Sequence, residues 1–142
     1  MTAAAAIAPD FDLVLKAFGL AVHQGASHSV GAAVLAGVAV AAAAAMARAP
    51  RPAILGLAAS LGWASHLVLD LLNRDTHPPI GLQALWPFSF AHYKLPWPIF
   101  MDIGRTLDWN TVRHDALALA WEALLLCPLL VVTWRARTGR GR

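Results

Sequence analysis

The 142-residue chain is 58% hydrophobic and only 13% charged, with a mean hydropathy of +0.57, which excludes a soluble domain with a wetted surface. Its formal charge is +3 and its pI is about 9.8, but the basic residues sit in short loops and at the C-terminal end. They form no stripe interleaved with aromatics, so they point to membrane orientation and not to nucleic acid.

The opening segment MTAAAAIAPD has no positive n-region and is interrupted by Pro9, Asp10 and Asp12, so it does not read as a cleavable signal peptide. By sequence alone, Asp10 and Asp12 read as part of a solvated segment leading into the membrane domain. No formal charge falls between Ala17 and Ala47, and residues 29–47 are almost wholly Ala, Val, Gly and Leu. At 1.5 Å per residue this stretch can cross about 30 Å of hydrocarbon and is the first predicted span. Gly31, Gly37 and the alanine run suit close helix packing.

A short hinge containing Arg48, Arg51 and Pro52 leads to a second predicted span over residues 53–72, antiparallel to the first and beside it. From Asn73 to Asp115, Pro78, Pro79, Pro87, Pro96 and Pro98 break any long helix, while Trp86, Phe88, Phe90, Tyr93, Trp97 and Phe100 supply aromatics suited to headgroup depth. This predicts an ordered interfacial loop. Asn110 or Thr111 can cap a third span over residues 111–134, interrupted only by Glu122. Residues 135–142 form a basic tail predicted to be disordered, and Cys127 reads as a small hydrophobe inside the third span. The fold class is therefore all-α, a single membrane domain of about three transmembrane helices over residues 1–134. Arg48, Arg51, Arg135, Arg137, Arg140 and Arg142 place the hinge and tail in the cytoplasm, although Lys16, Arg74, Lys94, Arg105 and Arg113 on the other side reduce the asymmetry.

On this topology the polar residues gather at one face. His23 and His28 stand at the start of the first span, and His66 and Asp70, four residues apart on one helical face, stand near the end of the second. Ionisable groups among Leu67, Val68, Leu69, Leu71 and Leu72 are costly unless they have a partner or a job. Asp10 and Asp12 precede His23 on the same side, His114 and Asp115 open the third helix there, and Glu122 lies deeper. Carboxylates and imidazoles delivered from separate segments are how metal sites in helical proteins are assembled, and His/Asp ligands suit zinc, manganese or iron. The plainer readings are an interhelical His66–Asp70 hydrogen bond, a polar helix start at His23 and His28 with Ser27 as cap, and an interfacial place for His77 and His92.

Four pieces in order, Pro9-Asp10-Phe11-Asp12, His23-Gln24-Gly25-Ala26-Ser27-His28-Ser29, Ser65-His66-Leu67-Val68-Leu69-Asp70 and Leu85-Trp86-Pro87-Phe88-Ser89, resemble the YdjM-type family over roughly residues 8 to 125. That family is described as inner-membrane, metal-dependent hydrolases, as LexA-binding, and as a domain of unknown function. The resemblance implies a bacterial inner-membrane hydrolase whose divalent metal is held by residues among Asp10, Asp12, His23, His28, His66 and Asp70. It also implies a further apolar N-terminal helix with a Thr-His near its start, to which nothing here corresponds. The polar stretch from Asn73 to Pro79 leaves an additional ligand role open for His77.

The resulting expectation is a membrane-bound hydrolase of an ester or phosphoester. Asp10, His23, His28, His66 and Asp70 hold the metal, zinc foremost. Asp12 acts as general base or orients a ligand, and Glu122 orients a ligand imidazole from below. A site at headgroup depth favours a lipid-like substrate. The alternatives are a non-catalytic scaffold or partner-binding subunit whose His/Asp cluster is structural, and, ranked last, an ion-transport element. Small-residue faces would also suit a homo-oligomer.

Overall fold

The computed structural model describes residues 2–19, 23–76, 78–104 and 106–139. His77, Arg105, Arg140 and Arg142 lie outside the described residues. The described residues are helical and irregular, with no named strand. The chain divides into two units, Met1–Trp97 and Pro98–Arg142.

The first unit opens with α1 (Thr2–Ile7), a 3-10 turn over Ala8–Asp10, and α2 (Phe11–Ala17), followed by α3 (Val30–Met46) and α4 (Pro52–Leu72). The segment expected to be a solvated lead is thus helical. α1 packs against α4, and Asp12 is 4% exposed. The cap of α3 is Ser29, not Ser27: its hydroxyl accepts from Ala32 N at 3.0 Å and donates to the Ala26 carbonyl at 2.7 Å. α3 ends in a Schellman motif, with Arg48 N on Ala45 O and Ala49 N on Ala44 O, and Arg48 takes the left-handed conformation usual for glycine there. Arg51 is also left-handed, and Pro52 then starts α4.

This tight connection makes α3 and α4 antiparallel neighbours. A Cβ on Gly37 would meet Ser60 and the Gly56 carbonyl, and one on Gly56 would meet the Gly37 carbonyl and Ala41. Gly37 and Gly56 thus let α3 and α4 approach closely, and Ser60 also donates to the Ala33 carbonyl at 2.9 Å. The aromatic loop lies over the start of α3, with an isolated bridge between Leu82 and Tyr93, Val30 N on Ala84 O, and Gln83 N on Gln24 O. Gly31 leaves room for the Trp86 backbone that a side chain would fill.

The second unit carries α5 (Trp109–Gly139). Its cap is Asp108, not Asn110 or Thr111, and the Asp108 carboxylate accepts from both of those backbone amides at 3.0 and 3.1 Å. Thr106 and Thr111 hydroxyls also bond this carboxylate and hold its pKa down at about 2. Within the same unit His114 Nε2 reaches the Asp102 carbonyl at 3.0 Å, and Asp115 accepts from Gly104 N at 2.8 Å. α5 continues beyond Trp134 through Arg135 and Arg137 to Gly139, into the stretch expected to be disordered. α4 and α5 are long and apolar enough to cross a membrane, and α3, at 17 residues, is shorter.

Candidate metal centre

Antiparallel packing sets the start of α3 beside the end of α4, and the docked N-terminal segment supplies carboxylates to the same place. Asp10 comes from the 3-10 turn, Asp12 from α2, His23 and His28 from the connection into α3, and His66 and Asp70 from successive turns of α4. The structure brings all six expected residues into two overlapping groups, Asp10, Asp12, His23 and His28 in one and His28, His66 and Asp70 in the other. Within each group one potential ligand atom per residue lies within 4.8 Å of the rest. Glu122, on α5 in the second unit, belongs to neither group.

The two groups differ in what their atoms already do. Asp12 is saturated: Oδ1 takes His23 Nδ1 at 2.8 Å, while Oδ2 accepts the Ser27 hydroxyl at 2.7 Å and lies 3.1 Å from His28 Nδ1. One buried carboxylate thus orients two imidazoles. Ser27, whose hydroxyl also lies 3.1 Å from His28 Nδ1, completes this clamp. The sequence reading took Ser27 only as a helix cap; its place next to His28 was the signal for this second role.

With the His28 proton assigned to Nδ1 by these acceptors, Nε2 is left as a bare lone pair. His28 is fully buried, and its Nε2 has no hydrogen-bond partner; the same is true of His66 Nε2 and Asp70 Oδ2, both buried atoms. The His66 ring donates to the Ala6 backbone carbonyl and, with Nε2 unbonded, does so through Nδ1. These atoms and Asp10 Oδ1 face one another. His28 Nε2 lies 3.6 Å from Asp10 Oδ1 and 3.4 Å from Asp70 Oδ2, and His66 Nε2 lies 3.3 and 3.4 Å from the same two oxygens. The spacing is too wide for hydrogen bonds to charged groups, which run about 2.7–2.9 Å.

His28, His66 and Asp70, with the Asp10 carboxylate beside them, could hold a cation. A tetrahedral ion with ligand bonds of about 2.0–2.2 Å separates its ligands by about 3.3–3.6 Å, and the four nitrogen–oxygen separations here fall in that range. The nearby imidazoles of His28 and then His66 hold the Asp10 carboxyl well below the ordinary carboxylate range, so it is available as an anion.

An all-helical chain with apolar helices of membrane-crossing length and a buried His/Asp cluster able to hold a metal ion defines the class: a membrane protein with a candidate metal centre. The chain belongs to the YdjM inner membrane protein family, whose profile matches residues 1–139. No curated protein and no solved structure gives a match to it.

Proposed function

We propose that this protein is a membrane-bound, metal-dependent hydrolase of an ester or phosphoester at the membrane interface. The observation that carries the proposal is the set of three buried, unbonded ligand atoms, His28 Nε2, His66 Nε2 and Asp70 Oδ2, facing the Asp10 carboxylate at 3.3–3.6 Å. In this reading Asp10, His28, His66 and Asp70 hold the ion, and the tetrahedral spacing favours zinc over manganese or iron. When bound, a divalent ion supplies Lewis acidity that polarises an ester or phosphoryl oxygen and acidifies water.

The remaining residues position and exchange protons. Asp12 fixes the His28 tautomer and raises its basicity. His23, held by the same carboxylate, is the more exposed of the two imidazoles and is placed to take up or deliver a proton at the edge of the site, in place of the ligand role its spacing suggests. Glu122 has no part in this reading. α3, α4 and α5 cross the bilayer, with the Arg48–Arg51 hinge and the C-terminal end of α5 cytoplasmic, so that the cluster lies at the opposite headgroup level. That depth favours a lipid-like substrate.

The test is metal analysis of detergent-purified wild type beside His66→Ala and Asp70→Ala, with folding followed by circular dichroism and hydrolysis by carboxyl-ester and phosphodiester probes. The proposal requires near-stoichiometric metal and turnover in wild type, both lost in folded variants. Wild type that stays metal-free after zinc is supplied would leave the cluster structural and sink the catalytic reading.

A further inference from the structure

Next to the cluster, with Ser27 in its lining, lies a shallow, open groove of about 480 Å³ lined almost wholly by apolar atoms. Its floor is Ala32, Leu35, Ala36 and Ala39 of α3, and Trp63 and Trp86 complete its walls. The floor residues follow the i, i+3, i+4, i+7 spacing of one helical stripe, so the groove runs along α3 away from the cluster. From Ala32 to Ala39 it extends about 10 Å, some two thirds of the roughly 15 Å that one leaflet contributes to the hydrocarbon core. Gly37 and Ala33 turn the adjoining face of α3 toward α4, while the groove face carries no helix of its unit.

The groove and the cluster share a built junction. Ser27 lines the groove, its hydroxyl donates to Asp12, and its carbonyl accepts from Trp63 Nε1 at 2.8 Å. That bond fixes Trp63 as a wall beside the metal-site clamp. A molecule reaching across this junction must therefore be polar at one end and linear and apolar at the other. We infer that the groove holds one acyl chain of a membrane lipid, with the lipid's ester or phosphoester end at the cluster. The identity of the reacting end rests on the hydrolase reading. Occupancy of the groove by a chain does not.

The experiment reconstitutes the whole protein into phosphatidylcholine vesicles doped with a lipid carrying a photoreactive palmitoyl chain, and maps adducts by mass spectrometry in wild type, Ala36→Trp and the milder Ala39→Leu. Expected are adducts concentrated on Leu35, Ala36 and Trp63, reduced about tenfold by Ala36→Trp, with metal content and melting temperature unchanged in at least one of the two variants; a bulky ring that displaces one or two methylenes, each worth about fourfold in binding, gives a reduction of that order. Adducts spread equally over Val34 and Val38, which are exposed on another face of α3, would overturn the inference. Crosslinks between protein copies at the groove would overturn it too, since a second copy would then fill it. In a parallel arm, Ala36→Trp should slow a palmitoyl ester about tenfold more than an acetyl ester. Absence of all turnover with groove labelling intact would count against the hydrolase reading alone.

Discussion

Replacing Asp12 by asparagine keeps the shape of the side chain but removes its charge and one of its two acceptor oxygens. In wild type those oxygens serve His23 Nδ1, Ser27 Oγ and His28 Nδ1. In the Asp12→Asn variant the new amide nitrogen must face one imidazole, which must then carry its proton on Nε2. If that imidazole is His28, the proton on Nε2 points toward the Asp10 and Asp70 oxygens and blocks the lone pair; if it is His23, His28 is left with a neutral amide oxygen in place of a carboxylate. Either way the ligand loses basicity or availability, and loss of such an orienting partner typically costs 10–100-fold in metal affinity, about 1.4–2.7 kcal/mol. Competition against a chromophoric zinc chelator in detergent would measure the change, with circular dichroism to show that the helices persist. His23→Ala leaves the His28 acceptor in place and should lose much less. Zinc affinity of Asp12→Asn within twofold of wild type would refute the tautomer argument and with it the role given to Asp12.

Three further outcomes follow from the fold. Gly37→Leu forces a side chain where a Cβ alone would lie 2.8 Å from Ser60 Cβ, and should lower stability by about 1–3 kcal/mol or more in a detergent melt, whereas Gly139→Ala, with open space around it, should not move the melting temperature. The Asp108 carboxyl is held at about 2 from an ordinary 3.8, so its contribution to the start of α5 is present above pH 3.8 and lost as pH falls toward 2; Asp108→Ala should abolish that dependence in hydrogen exchange at the first turn of α5. Cysteines placed at Arg48 and at Phe88 in a Cys127→Ser background should react with an impermeant thiol reagent from opposite sides of the membrane, and labelling from one side would refute the proposed orientation.

Much of this architecture was legible because the bilayer imposes length and polarity rules. The apolar runs gave α3 and α4 within a residue or two, and the Arg48–Arg51 hinge implied their antiparallel packing. His66 and Asp70 stood out because their neighbours are leucine and valine. What the sequence did not reveal was the state of each ligand atom. The sequence reading gave Asp10 and Asp12 separate roles but not the physical difference between them: the Ser27 hydroxyl and two imidazoles engage buried Asp12, while Asp10 faces His28 and His66. The sequence reading placed the cap at Ser27; the cap is Ser29, whose extended backbone conformation aims its hydroxyl at Ala32 N, and Ser27 bonds the Asp12 carboxylate instead. The helical docking of the N-terminal segment was hidden by Pro9, which reads as a breaker but here sits inside the 3-10 turn. Asp108 was overlooked as a cap because Asn110 and Thr111, two and three residues later, carry the same propensity.

The order of the cluster residues along the chain bears on how the protein is made. Asp10 leaves the ribosome first, but its partners on α4 follow only after α3, the hinge and most of α4 have been synthesised. Until α4 is in place beside α3, no segment of the nascent chain holds more than part of the cluster. A cation captured at completion would clasp α1 and α2 onto the finished helical pair, and its binding energy would be added to that of assembly. Ion capture would then mark the end of membrane insertion.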